Sequence, residues 1–240
     1  MELNAVPQPV VVIGLDCLTP QLAFEQYADA MPTLNGLARE GAYGRLRSVT
    51  PPITVPAWAC SATGKTPGEL GVYGLRNRRS YDYEPLGITT SLDIHAPTIW
   101  DRLGETGNSS VVIGVPPGYP PKPVNGYAIS CFLTPGTDSS FTYPESLKSE
   151  IEAEFGDYWF DVPDFRHAER RQLLDDIHRL TEQRFQVAVH LMTSKPWRFF
   201  MFVDMGPDRL HHAFWQYADP DHVLYEPGNP FEHAMRDYYR

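Results

Sequence analysis

Residues 51–68 have the sequence PPITVPAWACSATGKTPG. Pro56 favours the first turn of a helix because its ring fixes φ, and Gly64 is a typical stop after the small residues that follow. The pattern predicts a helix that begins near Pro56, with Thr54 as an N-cap-like residue ahead of it. A helix N-terminus favours an anion such as phosphate. Thr54 is thus placed to face a charged substrate, although threonine at such a position is more often only a cap.

The composition describes a soluble globular protein and excludes several classes of function. The 240 residues, 42% hydrophobic and 21% charged, suffice for one large domain. The net charge of −10 argues against a partner such as duplex nucleic acid, because the phosphate backbone requires a basic surface. No apolar run approaches the roughly 20 residues that span a bilayer, and no signal peptide is visible. We therefore expect no membrane partner, and the sequence leaves the oligomeric state open.

The cysteines indicate the compartment. Cys17, Cys60 and Cys131 are too few and too scattered for a disulfide framework or a cysteine-based zinc site. A reducing environment explains them most simply, so we expect a cytoplasmic protein.

The order of the segments predicts an α/β fold with a mostly parallel sheet. Three short apolar runs, at 10–15, 110–115 and 197–203, are typical of strands buried on both faces. Helices between such strands build a parallel sheet. Periodicity and capping signals predict helices at 31–41, 98–107, 144–155 and 166–194, and another that opens near 230 and still runs at Arg240. Residues 43–49 alternate and predict a further strand that leads into the Thr54 loop.

Candidate metal ligands follow two of these strands, where open α/β sheets bind their ligands. Asp16 directly follows the first apolar run. Asp208 and His212 follow the last run and share one face of a helix, because they are four residues apart. A carboxylate and an imidazole on one face suit a divalent metal. Taken alone, an Asp in the position of Asp16 is also common as a turn residue. Asp208 and His212 alone could equally form an ordinary surface pair. With Thr54, all four are expected at one edge of the sheet.

An arginine-rich loop provides candidate substrate-binding residues. Arg76 and Asn77 lie in a cluster with two further arginines in an acidic protein. Such a cluster suits an anionic substrate, and a solvated loop explains it equally well.

The sequence resembles the N-terminal half of the alkaline phosphatase superfamily, in particular its type I phosphodiesterase/nucleotide pyrophosphatase branch. The matching segments keep the family's order and are VVVIGLDC (10–17), MPTLNGLAREGAYG (31–44), PPITVPAWACSATGKTPGELGVYG (51–74), TIWDRLGETG (98–107) and DRLHHAFW (208–215). The resemblance implies an alkaline-phosphatase-like three-layer α/β sandwich with a mostly parallel central sheet, incomplete at its C-terminus. We expect residues 1–240 to form one such domain, with an inserted loop-rich cap around 75–165.

The resemblance also implies a centre with two divalent metal ions, zinc or alternatively manganese. Asp16 and Thr54 would bind one ion, with Thr54 also the nucleophile, and Asp208 and His212 would bind the other. A metal lowers the pKa of a bound hydroxyl, and two metals stabilise the attacking and leaving oxygens of a displacement. The implied function is hydrolysis of a small-molecule phosphate ester through a covalent phospho-threonine.

The sequence departs from the family pattern in two ways. Leu75 stands where the nucleotide pyrophosphatases place a phosphate-binding Asn, with Arg76 and Asn77 beside it. This weakens the expectation of a nucleotide substrate. The second Asp-His pair, usually in a Ser-Asp-His-Gly segment, and a later His are absent. We therefore expect an incomplete chain with little or no activity alone.

Other interpretations compete with this one. A catalytically inactive binding module would have the same fold, and a Ser-Asp-His-Gly segment encoded beyond Arg240 would favour the enzyme over it. A phosphomonoesterase or phosphoglycerate-mutase-like relative shares the metals, although the mutases normally use a serine nucleophile. A sulfatase would need an Arg that the segment after Thr54 lacks. Residues 59–66 resemble a P-loop, but Pro56 interrupts the strand that should precede it and Pro67 the helix that should follow.

Overall fold

The computed structural model describes residues 8–82, 86–166 and 168–240, and its helices and strands confirm a mixed α/β fold. In chain order the strands are β1 (Val10–Leu15), β2 (Arg76–Arg78), β3 (Leu86–Ile88), β4 (Ser110–Ile113), β5 (Gly126–Ile129), β6 (Thr142–Tyr143) and β7 (Phe199–Asp204). The α-helices are α1 (Pro32–Glu40), α2 (Thr54–Thr63), α3 (Pro67–Leu70), α4 (Ile99–Glu105), α5 (Ser146–Phe155), α6 (Arg170–Ser194), α7 (Gly206–Ala218) and α8 (Ala234–Tyr239). A π-helix (Leu22–Gln26) and a 3₁₀ turn (Ser91–Asp93) are added to these.

The chain divides into two compact units, each built from separate segments. The first takes in the chain up to Gly14 together with Ser48–Phe160 and Gln183–Val203, and the second comprises Leu15–Arg47, Asp161–Glu182 and Asp204–Arg240. That residues 1–240 are one domain with a cap around 75–165 stays a prediction. Three strands from that range, β4, β5 and β6, belong to the large sheet.

The first unit is organised around a five-stranded sheet in the order β1-β7-β4-β5-β6. Strand β4 runs parallel to β7 and β5, whereas β6 is antiparallel to β5. The N–H of Val10 donates to Arg198 O at 2.9 Å, and the N–H of Asp16 donates to Asp204 O at 3.0 Å. These bonds advance in the same direction along both strands, so β1 and β7 are parallel. The mostly parallel sheet is therefore confirmed.

Apolar side chains cover both faces of the central strands β4 and β7, which gives the three-layer sandwich. On one face Phe202 packs with Ile151 of α5 and Leu191 of α6. On the other face Met201 packs with Trp58 of α2 and with side chains of α4. Removing these side chains from water is the main force that holds the layers together. The packing of Trp58 also fixes α2, the helix that begins with Thr54, against the sheet.

Strand β1 forms as predicted, but the prediction that it is buried on both faces is wrong. Val11 and Ile13 are 42% and 54% exposed, because β1 lies at an end of the described sheet. The opposite face is covered: Val12 packs with the apolar cluster, and a Cβ on Gly14 would lie 2.3 Å from the Trp58 ring. A continuous apolar run does not distinguish a central strand from an edge strand.

The strand predicted for residues 43–49 is also wrong. In the described part of the chain no ladder includes these residues, and Leu46 is 95% exposed. Alternating side chains predict a strand only if a neighbouring strand offers hydrogen-bond partners, which periodicity cannot show.

The predicted helices are confirmed with small changes at their ends. The last begins at Ala234 rather than near residue 230, and it ends at Tyr239 rather than running on through Arg240. Among the described helices, none combines the length and the apolar character needed to cross a bilayer.

Candidate metal centre

Thr54 lies at the N-terminus of a helix, as predicted, but one position further in. It is the first residue of α2, and Ile53 is the N-cap. The helix begins before Pro56 because a proline in the first turn costs no intrahelical hydrogen bond. Gly64 ends the helix with φ of 68°, as predicted. Thr54 is half-buried in the first unit, at the positive end of the helix dipole.

Two carboxylates and a thiol meet in the second unit. Asp16 and Cys17 form the turn that follows β1, and Asp208 lies in the first turn of α7. One ligand atom of each residue lies within 4.8 Å of the other two. Asp16 and Asp208 are buried, at 8% and 4% exposure. The structure therefore brings two of the predicted metal ligands together, and adds a cysteine.

Cys17 is the residue that the sequence prediction missed. Its φ of 66° lies in the left-handed region, which residues other than glycine rarely adopt. The residue as a whole is exposed, but its Sγ donates a hydrogen bond of 3.0 Å to Oδ1 of the buried Asp208. Desolvation of the sulfur, with this hydrogen bond, raises the pKa of the Cys17 thiol. The available signal was its position directly after Asp16, at the end of a strand.

His212 lies beside Asp208, as the four-residue spacing predicted. Its Nε2 is 3.4 Å from Asp208 Oδ1, and its side chain is 65% exposed. His211 instead shares a hydrogen bond of 2.7 Å with the hydroxyl of Tyr239, and burial lowers the pKa of His211 to about 4. The geometry thus favours His212 over His211 as the histidine available beside the carboxylate.

An ion pair holds the other oxygen of Asp208. Arg209 forms a bidentate ion pair with Asp161: its Nε donates to Oδ1 and its Nη2 donates to Oδ2, each at 2.6 Å. Its third nitrogen, Nη1, donates to Asp208 Oδ2. Burial alone would lower the pKa of Arg209, but Asp161 and Asp208 outweigh it and raise that pKa. Arg209 therefore fixes Oδ2 and leaves Oδ1 of Asp208 facing Cys17.

The start of α7 is fixed by close packing around Gly206. A Cβ there would lie 2.0 Å from Thr181 Oγ1 and 2.2 Å from the hydroxyl of Tyr238. These two hydroxyls are hydrogen-bonded at 2.6 Å, and the N–H of Gly206 donates to Asp204 Oδ2 at 3.2 Å. Only a glycine fits, and the packing anchors the helix two residues before Asp208.

The predicted substrate-binding residues lie in the first unit, on the β2–β3 hairpin. The Asn77 side chain accepts from the N–H of Tyr73 at 3.2 Å and donates to Thr89 Oγ1 at 2.9 Å. Arg76 is exposed opposite Ile88. Asn77 therefore holds the hairpin together, and Arg76 is the more accessible of the two.

The donors in the second unit fit a divalent metal. Zinc binds carboxylate oxygen at roughly 2.0–2.2 Å and thiolate sulfur at roughly 2.3 Å. Ligand atoms of Asp16, Cys17 and Asp208 that lie within 4.8 Å of one another can share an ion of that size. Thr54 belongs to the first unit, whereas these three residues and His212 belong to the second.

Comparison with known proteins gives one family and one fold. The family model of type I phosphodiesterase/nucleotide pyrophosphatase matches residues 10–240. Two solved structures of phosphonoacetate hydrolase from Sinorhizobium meliloti 1021, in complex with phosphonoacetate and with phosphonoformate, are 20% identical to this chain, with TM-scores of 0.56 and 0.59. Each match covers 97% of this chain and 52% of the other, so the chain spans about half the length of these structures. Comparison with curated proteins finds no match.

Proposed function

Because the chain belongs to the type I phosphodiesterase/nucleotide pyrophosphatase family, within the alkaline phosphatase superfamily, we propose that it supplies the nucleophile and several metal ligands of a metal-dependent phosphoric ester hydrolase. One observation carries the proposal. Asp16 and Asp208 are far apart in sequence, yet their carboxylates converge with Cys17 to within 4.8 Å. Buried carboxylates repel one another, so such a group is stabilised by a cation.

The proposed ligands follow the family pattern. Asp16 and Thr54 would bind one divalent ion, and Asp208 with His212 the other, zinc being the expected metal and manganese the alternative. The 3.4 Å between His212 Nε2 and Asp208 Oδ1 supports the second pair. When bound, such ions lower the pKa of a hydroxyl and stabilise negative charge on phosphoryl oxygens.

Thr54 is the proposed nucleophile. Its hydroxyl oxygen attacks the phosphorus, the ester oxygen leaves as an alcohol after protonation, and a phospho-threonine results. Water then attacks the phosphorus of this intermediate, which releases the phosphate product and restores the hydroxyl. The position of Thr54 at the start of α2 supports this role, because the helix N-terminus favours the negative charge of the phosphoryl group.

The proposed substrate is a small-molecule phosphate ester, with Arg76 and Asn77 as phosphate contacts. The solved phosphonoacetate hydrolase structures hold small phosphonates, which is consistent with a small phosphorus-containing anion. The cytoplasm is the proposed compartment, because Cys17, Cys60 and Cys131 are all free thiols.

A binding module of the same fold is the second candidate. The family's second Asp-His pair has no counterpart in the 240 residues: the one Asp-His dipeptide, Asp221-His222, lies in a turn after α7 rather than after a strand. For this candidate we expect metal and ligand binding without turnover.

The deciding experiment is the variant Thr54→Ala in the full-length protein, with an aryl phosphodiester as substrate and zinc or manganese present. We expect wild-type turnover that a chelator abolishes, and a loss of more than about a thousandfold in Thr54→Ala. Thr63→Ala is the matched control, because Thr63 lies at the opposite end of α2, where its hydroxyl donates to Ala59 O at 2.7 Å and accepts from the N–H of Lys65 at 3.3 Å. Near-normal turnover in Thr54→Ala would refute Thr54 as the nucleophile. If the wild-type protein binds metal and ligand but does not turn over the diester, the binding module is favoured.

A further inference from the structure

We infer that Cys17 is a protein ligand of the proposed metal centre, and that its sulfur makes the site select a thiophilic ion such as zinc over magnesium or manganese. The inference rests on the proposed function in one respect: Asp16 and Asp208 must be ligands of the metal centre. It goes further, because the family pattern supplies only carboxylate, hydroxyl and imidazole ligands here.

The contacts of Cys17 place its sulfur in the donor group. Cys17 is adjacent in sequence to one carboxylate, that of Asp16, and is hydrogen-bonded to the other, with Sγ 3.0 Å from Asp208 Oδ1. All three ligand atoms lie within 4.8 Å of one another. Because Arg209 engages Oδ2 of Asp208, the Asp208 oxygen on the Cys17 side is the one left to face a cation.

The backbone at Cys17 brings the two neighbouring donors to one side. Successive side chains of an extended strand point to opposite faces, so Asp16 and Cys17 would diverge if β1 simply continued. The left-handed conformation of Cys17, with φ of 66°, turns the chain and lets both side chains converge. Glycine would adopt this conformation without strain, so the backbone does not require a cysteine. What the cysteine adds is a sulfur donor.

The chemistry of sulfur determines which ions the site prefers. On metal binding the thiol gives up its proton to solvent, and the group becomes two carboxylates and one thiolate. Carboxylate oxygens suit magnesium and manganese as well as zinc, whereas a thiolate selects zinc and its spectroscopic substitute cobalt. A serine at the same position would keep a hydroxyl oxygen but remove this preference.

Cobalt(II) absorption tests the inference without any assay of activity. We expect the full-length protein loaded with cobalt(II) to show a near-ultraviolet sulfur-to-cobalt charge-transfer band, and Cys17→Ser to lack it. In Cys17→Ser we also expect the preference for zinc over manganese, measured by competition titration, to fall at least about tenfold. Cys60→Ser is the matched control: Cys60 is buried within α2 in the first unit, and this variant is expected to keep the band.

Two outcomes would overturn the inference: a wild-type protein that binds cobalt without the band, or a Cys17→Ser variant that keeps it. If Cys17→Ser fails to fold, alkylation of wild-type Cys17 decides. We expect zinc, but not magnesium, to slow the alkylation of Cys17. An unchanged alkylation rate at saturating zinc would refute the claim that Cys17 is a metal ligand. Diester turnover without the cobalt band would leave the proposed function standing alone. The cobalt band without diester turnover would support Cys17 as a ligand and contradict the proposed function.

Discussion

Asp208 depends for its orientation on two residues that are not themselves proposed ligands. Arg209 binds one of its oxygens, and Asp161 holds Arg209 through two contacts of 2.6 Å. Asp161→Asn removes the charge that anchors the guanidinium, so Arg209 can turn away and leave Asp208 free to rotate. We expect zinc affinity to fall about 10- to 100-fold, the range typical of residues that support metal ligands. Isothermal titration or competition with a chelator measures this.

The matched control for Asp161→Asn is Asp175→Asn, which removes an exposed carboxylate from α6 in the same unit. Both variants change the net charge equally, so a difference between them isolates the contact with Arg209. Equal zinc affinities would show that Asp161 does not position Asp208.

Gly114 and Gly64 allow the cost of a steric clash to be separated from the cost of backbone strain. Both have φ of 68°. A Cβ on Gly114 would lie 2.2 Å from Arg184 Nη2 and 2.8 Å from Val203 O, whereas a Cβ on Gly64 would meet no atom within 4 Å. Gly64→Ala should lower the free energy of unfolding by about 1 kcal/mol, and Gly114→Ala by at least about 2 kcal/mol more. Urea denaturation measures both, and equal losses would contradict the packing at Gly114.

At the scale of secondary-structure elements, Glu150 links α5 to the end of α6. Its Oε1 is 2.9 Å from His190 Nε2, and its Oε2 is 2.6 Å from Lys195 Nζ. The hydrogen bond from Lys195, and then that from His190, lower the pKa of Glu150 below its usual 4.5. Because the group is partly exposed, we expect Glu150→Gln to cost less than about 1 kcal/mol at pH 7.

The pH dependence of this cost gives the sign of the effect. The folded protein binds the Glu150 proton more weakly than the unfolded chain, so the contribution is complete above about pH 4.5 and is lost as the pH falls through the lower, folded pKa. Urea denaturation of wild type and Glu150→Gln, repeated from pH 7 downward, should show that the difference between their free energies of unfolding disappears only below about pH 4.5. A gap that closes near neutral pH would identify a different group.

Helices with capping signals could be predicted from the sequence, whereas the pairing of strands could not. Helix α4 begins after Thr98, whose side chain accepts from the N–H of Asp101 while Asp101 accepts from the N–H of Thr98. Such a reciprocal pair is local, and the sequence shows it directly. Residues 43–49 alternate like a strand, but a strand depends on partners that lie elsewhere in the chain, so this prediction was wrong.

At the scale of the whole molecule, we predict that the exposed face of β1 is an association surface. Val11 and Ile13 are apolar and exposed on an edge strand, an arrangement that favours pairing with another strand. We expect light scattering to show that the 240-residue chain associates as its concentration rises, and that the double variant Val11→Lys, Ile13→Lys associates less. Val189→Lys is the control, because Val189 is 56% exposed but lies on α6. The same reduction in the control would indicate a general effect of charge.

The sequence predicted the candidate site better where spacing alone fixes geometry. The four-residue spacing of Asp208 and His212 suffices to place both on one face of α7, and the strand end suffices to single out Asp16. Cys17 could not be found in this way, because the direction of its sulfur depends on a single backbone angle. The mostly parallel sheet followed from the alternation of strands and helices, but the position of β1 within it did not.

The packing around Gly206 has a practical consequence for shortened versions of this protein. Tyr238 contacts Thr181 beside Gly206, and Tyr239 contacts His211, so two phenols near residue 240 brace the helix that carries Asp208 and His212. A clone cut at residue 237 would lose both braces while keeping every proposed ligand. Its metal binding would weaken although every proposed ligand is present, because the helix that carries Asp208 and His212 would be unsupported.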